Sequence, residues 1–186
     1  MGTRHLIAVM VDGQYKVAQY GQWDGYPSGQ GVDVLAFLRS ADLAKFADKC
    51  RATRWITAER CKVLDAELRE SGKELVDVYP HLSRDTSAKV LGLIAKAPDG
   101  IELRNHIDFA GDSLMCEWAY VIDLDARTFE VFEGFNKRPL AKGERFRDAP
   151  VDGNEYQPVR RVAVWPLDAL PDDAAFVKAT EPTGAP

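Results

Sequence analysis

Cysteine, histidine and methionine are scarce, three of each in 186 residues. Cys50, Cys61 and Cys116 are odd in number and lack metal-ligand spacing, so free thiols of a cytosolic protein are expected rather than a disulfide framework. His5, His81 and His106 are widely separated. A zinc set of His5, His106 and a carboxylate, or a Cys116–His106 nucleophile pair, would need the fold to assemble it without any local pattern. Neither a metal nor another cofactor is therefore expected. Apolar runs reach only about six or seven residues, far short of the roughly 20 that span a bilayer. The start MGTRHLIAV lacks a signal-peptide cleavage pattern, and Leu6 stands where the myristoylation pattern needs Ser or Thr. Basic charge is not in excess: the net charge is -5, which disfavours backbone-driven nucleic-acid binding. Phosphate-loop spacing is absent as well. No GxxxxGK[ST] occurs, and no GxGxxG lies between a strand and a helix.

What is present is a globular composition, 46% hydrophobic and 28% charged, in a chain long enough for one domain with a full core. That domain is expected over residues 1–177, followed by a disordered tail over 178–186. The organising stretch is Arg4 to Gly31. His5 to Val11 is an apolar run, and Leu6 to Val11 is apolar on both faces, which reads as a central strand. Asp12-Gly13 favours a hairpin turn, because glycine takes positive φ without steric cost. In the returning strand, Tyr15, Val17 and Gln19 should share one face, and Lys16, Ala18 and Tyr20 the other.

Tyr20 to Gly31 then packs four glycines, one proline and three aromatics into twelve residues. Glycine and proline set backbone shape, and Tyr20, Trp23 and Tyr26 offer flat surfaces with polar edges. Gln22, Asp24 and Gln30 offer directed hydrogen bonds. Such a loop can line a small-molecule pocket, or it can simply cap the end of a sheet.

A helix should follow over Gly31 to Leu38. Ser40 is a candidate cap for a second helix reaching Cys50, and Thr57 for a third reaching about Glu70 with Cys61, Leu64 and Leu68 inward. These helices should form a layer over the sheet. Leu75 to Tyr79 is ambiguous between strand and link. A fourth helix starts near Ser83 or Asp85, with Ser87, Val90, Leu91 and Ile94 inward. Ile101 to Asn105, Trp118 to Leu124, Thr128 to Phe132 and Val159 to Pro166 read as strands, and 134–146 as a polar, basic surface loop. The order of elements predicts an α+β fold: antiparallel sheet or sheets with an amino-terminal hairpin, a central helical block and a carboxy-terminal group of strands. An αββα sandwich is one arrangement that fits.

Polar residues at strand ends are the candidates for chemistry. Arg4 and His5 lie at the start of the first strand, and Asn105 and His106 at the end of a later one. With Tyr20, Gln22, Trp23, Asp24 and Tyr26 they form the expected ligand-binding set. No catalytic residue is assigned. Arg4 can also serve as an ion-pair partner for a carboxylate such as Asp24. Asp123 and Asp125 are spaced for a carboxylate pair, but they border a turn, where aspartate is common for backbone reasons.

Met1-Gly2-Thr3-Arg4, then Asp24-Gly25-Tyr26-Pro27-Ser28-Gly29-Gln30-Gly31 and the helix from Val32 to Leu38, resemble a group of bacterial and phage-encoded proteins of uncharacterised activity. These open with an MGTR strand and have an aromatic-Asp-x-Tyr-Pro loop. The likeness covers the first forty or so residues and implies no catalytic residues. At fold level the order of elements is similar to that of amino-terminal-nucleophile hydrolases, which use a terminal Cys, Ser or Thr. Thr3 would have to fill that role here, and Gly2 precedes it. The resulting expectation is a cytoplasmic domain, outside the membrane, that binds a small polar molecule or a protein partner at the Tyr20–Tyr26 loop. The alternatives are an amide hydrolase and a phage or mobile-element protein that engages a host protein.

Overall fold

The computed structural model describes residues 2–151, 153 and 155–181. β1 (His5–Val11) and β2 (Gln14–Gly21) form the expected hairpin. Its turn has φ of 54° at Asp12 and 69° at Gly13. Positive φ at both central residues gives the type I′ geometry, which matches the twist of paired strands. β5 (Trp118–Asp123), β6 (Thr128–Glu133) and β7 (Arg160–Pro166) complete a five-stranded sheet of order β2-β1-β5-β6-β7. β1 is central and buried, as its two-sided apolar run predicts.

The fold is α+β, but the sheet is mixed. β1 pairs parallel with β5, and the other neighbours in this sheet are antiparallel. A parallel pair requires a long crossover, and the helical block between β2 and β5 supplies it. β3 (Arg54–Trp55) and β4 (Glu102–Leu103) make a separate two-stranded parallel ladder. A sandwich of two large sheets does not form.

One sheet face carries α1 (Val32–Ser40), α2 (Leu43–Arg51), α5 (Lys89–Lys96) and α6 (Asp173–Ala179). Their apolar sides meet Ile7, Val9, Tyr120, Ile122 and Phe129 in the larger core. The opposite face is covered by irregular chain. There Phe146, Val159 and Ala110 close over Leu6, Ala8, Val121 and Phe132, with Phe109 and Leu140 packed alongside.

Several local expectations change. A bulge shifts the β1–β2 register between Val9↔Val17 and Met10↔Tyr15. Tyr15 therefore points away from the Val17 face, because one extra residue reverses side-chain alternation. It stacks on Phe146, with ring centroids 6.4 Å apart. Asp42, not Ser40, caps α2, accepting a hydrogen bond from the Lys45 N–H. The Ser40 hydroxyl instead donates back to the Ala36 carbonyl.

Thr57 caps α3 (Ala58–Ser71) as expected, and Gly72 ends it at φ 64°. This helix buries only Leu64, so it stands outside the layer predicted for it. Leu75–Val78 is a helical turn, α4, and α5 begins at Lys89, later than expected. Its expected inward residues are buried. The strand expected over Ile101 to Asn105 shrinks to β4 plus a bridge from Asn105 to Ala18.

The segment 134–146 is not a plain surface loop, since Asn136 and Phe146 are buried. The expected tail overlaps α6, which includes Lys178 and Ala179, and Thr180 is buried. Residues 182–186 lie outside the described residues.

The covering chain sits close to itself. A Cβ added at Gly111 would fall 1.7 Å from the Pro150 carbonyl oxygen. Gly111→Ala is therefore expected to cost about 1–3 kcal/mol, the usual penalty of overpacking. Urea unfolding checks this, and an unchanged midpoint would contradict so close an approach.

Candidate functional site

The expected site residues gather at the end of the sheet where β1 begins and β2 ends, but the sheet divides them. Tyr20 lies on the face covered by irregular chain, edge-on to Phe109 at 4.9 Å and tilted against His106 at 6.0 Å. Burial lowers the His106 pKa below its ordinary value. Tyr20 donates its hydroxyl to Gln22 Oε1. Arg4 pairs with Glu117 at 3.3 Å rather than with Asp24. Asn105 is exposed, and its side-chain oxygen accepts from the Ile107 N–H.

His5 lies on the other face, fully enclosed. Its ring is pressed between two glycines. A Cβ at Gly21 would fall 2.2 Å from its Cε1, and one at Gly25 2.9 Å from its Nδ1. Among the described residues neither ring nitrogen makes a well-formed hydrogen bond, and the Thr3 backbone is the polar group that acts on the ring. Burial pushes its pKa down to about 4, and the Thr3 backbone offsets only part of that. His5 is thus a neutral core residue with no path to a ligand at Trp23.

The connection itself is well built. The Gly25 N–H donates to the Thr3 carbonyl, and the Gln30 N–H to the Asp24 carbonyl. Asp24 sits at φ 54°, a costly backbone for a residue other than glycine. Pro27–Gly31 forms a π-helical turn that runs into α1. Trp23 donates its indole N–H to Asp85 at 2.7 Å, yet it stays 49% exposed, and Tyr26 53%. The loop therefore presents two aromatic surfaces to solvent.

A hollow lies at the opposite end of the sheet. It holds about 350 Å³ and is lined by Met10, Tyr15, Glu130, Gly143, Arg145 and Arg161. Arg145, from the segment taken for a surface loop, reaches over β5 and β6. Its Nη2 donates to Asp123 Oδ2 at 2.6 Å and also to Glu130 Oε1, and its Nε donates to Glu130 Oε2 at 3.2 Å. Arg161 Nη1 stands 3.3 Å from the same Glu130 Oε2.

Asp123 and Glu130 are almost wholly buried. Burial works against the Asp123 charge, but the Ala126 N–H and Arg145 outweigh it and hold the pKa below the usual carboxylate value. Burial likewise opposes the Arg145 charge, and its bonds to Glu130, Asp123 and Tyr15 raise its pKa nonetheless. The Tyr15 hydroxyl is pushed up by burial, with Arg145 pulling the other way.

Asp123 and Asp125 do not act as a carboxylate pair. Asp123 Oδ1 accepts from the Asp125 and Ala126 N–H groups of its own turn. Asp125 instead accepts from the N–H groups of Asp12 and Gly13, at 2.9 and 2.8 Å, tying the two hairpin turns together.

Sequence reasoning missed this end of the molecule. One signal was available: Glu130 shares a strand face with Phe132, and a carboxylate on a covered face calls for a partner. Nothing local names Arg145, fifteen residues further on.

Fold and site together define an α+β domain with a mixed sheet and a polar, ion-paired hollow at one sheet end. Among the described residues no group of three or more His, Cys, Asp or Glu is placed to hold a metal, and no helix is long and apolar enough to cross a membrane. No family model, curated protein or solved structure matches the chain.

Proposed function

We propose that this protein is a binding domain for a small polar ligand, held in the hollow over Glu130 and Arg145. The observation that carries the reading is a largely buried guanidinium, clamped by two carboxylates, at the wall of an open hollow of about 350 Å³. Ligand pockets commonly combine that size with a few fixed polar groups. Buried ion pairs add little net stability, so a role in holding a ligand accounts for their presence better than stability does.

A second reading keeps the Tyr20–Tyr26 loop as the contact surface, for a small ligand or for a host protein. Its support is the half-exposed Trp23 and Tyr26 on a hydrogen-bonded backbone. The amide-hydrolase alternative has less to stand on. Thr3 is buried, and its carbonyl is engaged by Gly25.

One experiment separates the first two. The protein is incubated with a small-metabolite extract of bacterial cells and examined by native mass spectrometry. A retained compound that is lost in Met10→Trp, which fills the hollow, and kept in Trp23→Ala supports the cavity. The reverse pattern supports the loop. A protein that retains nothing and gains no thermal stability from the extract overturns the cavity reading.

A further inference from the structure

Resting on the cavity reading, we infer that the hollow takes a small oxyanion, a carboxylate or a phosphate group. The acceptors are engaged. Asp123 Oδ1 receives two backbone N–H groups, and its Oδ2 receives Arg145. Glu130 Oε1 receives Arg145 and the Thr128 hydroxyl, and its Oε2 receives Arg145 and Arg161.

The donors are in surplus. Arg145 Nη1 meets the Met10 thioether, at 3.5 Å, a weak acceptor, and Tyr15 lies against the same guanidinium. Among the described residues Arg161 makes one hydrogen bond, through Nη1 to Glu130, and its half-exposed side chain borders the hollow. A guanidinium can only donate, so Tyr15 meets Arg145 through its oxygen and keeps its own hydroxyl proton to give. The Arg161 guanidinium and the Tyr15 phenol thus border one space with donors unspent, and Arg145 adds an N–H held only by a thioether.

A planar guanidinium fork matches the oxygens of carboxylate and phosphate. Asp123 and Glu130 fix the orientation of Arg145, so little ordering remains when the anion arrives. A neutral amide would satisfy these donors less well, since hydrogen bonds to a charged acceptor are stronger.

The test follows the Arg145 and Arg161 side-chain Nε–H resonances by NMR during titration with inorganic phosphate, acetate or acetamide, at constant ionic strength set with chloride. Saturable shifts with phosphate or acetate, absent with acetamide, are expected. The anion that gives them tells a phosphate-bearing from a carboxylate-bearing ligand. Arg161→Gln should weaken that binding by about tenfold or more. If that variant fails to fold, Tyr15→Phe, which removes the third donor, should weaken binding in the same direction. Anion binding of unchanged strength in the folded variant would mean non-specific attraction and overturn the inference. Saturation by acetamide alone would overturn the oxyanion while leaving the cavity as a ligand site. Silence from all three probes would remove both.

Discussion

Replacing Arg145 with Met is expected to destabilise the protein by about 3–5 kcal/mol at neutral pH, the range found when one partner of a buried ion pair is removed. The reason is what stays behind. Asp123 and Glu130 would remain charged inside the protein, Asp123 keeping only its turn N–H groups and Glu130 only the longer Arg161 contact and the Thr128 hydroxyl. The pH dependence distinguishes this cause from lost packing. In the variant Asp123 loses the guanidinium that offsets its burial, so its pKa should rise above its value in the wild type. The penalty of leaving a buried charge unpaired then shrinks as pH falls and the charge is neutralised. Urea unfolding at pH 7 and pH 5 should show a smaller difference between wild type and variant at the lower pH. Adding Glu130→Gln to Arg145→Met should recover part of the loss. A single-variant cost below about 1 kcal/mol would mean that water reaches these groups and screens them as it does surface pairs.

The second large effect is acid sensitivity from His5. Its folded pKa is lowered to about 4 from an ordinary 6.5, with burial as the main cause. A depressed folded pKa means that the unfolded chain binds more protons between these values. Stability is therefore fully present above 6.5 and is lost as pH falls through the folded value. Integrated from pH 7 to pH 4, a shift of this size removes about 3 kcal/mol. His81 and His106, also lowered by burial, add in the same direction. The comparison with His5→Gln isolates the one residue. That variant should begin less stable at pH 7, because its amide enters the same unpartnered space, and should have a shallower slope through this window. Equal slopes in the two proteins would show that His5 finds a partner or solvent when protonated. The Asp123 contribution fades at lower pH, below its ordinary carboxylate value of 3.8.

These effects have opposite pH slopes and arise at opposite ends of one sheet, and they were unequally visible in the sequence. The apolar run before Asp12-Gly13 identified β1 and its central place. Thr57 and Gly72 marked both ends of α3. The inward residues of α5 followed from helical spacing even though its start did not. His5 was visible only as a polar residue at a strand end. Gly21, its cross-strand partner, and Gly25 carry no local sign that they press on its ring.

Residue order alone determined the hairpin, the helical block, the later strands and the α+β class, because turn chemistry and hydrophobic periodicity are properties of neighbouring residues. Tertiary structure alone decided that β1 lies parallel to β5, that the sheet separates His5 from Tyr20, and that Arg145 closes over Asp123 and Glu130. Each of those depends on which distant segments share space. An ion pair or a strand pairing between such segments has no period for a local pattern to reveal.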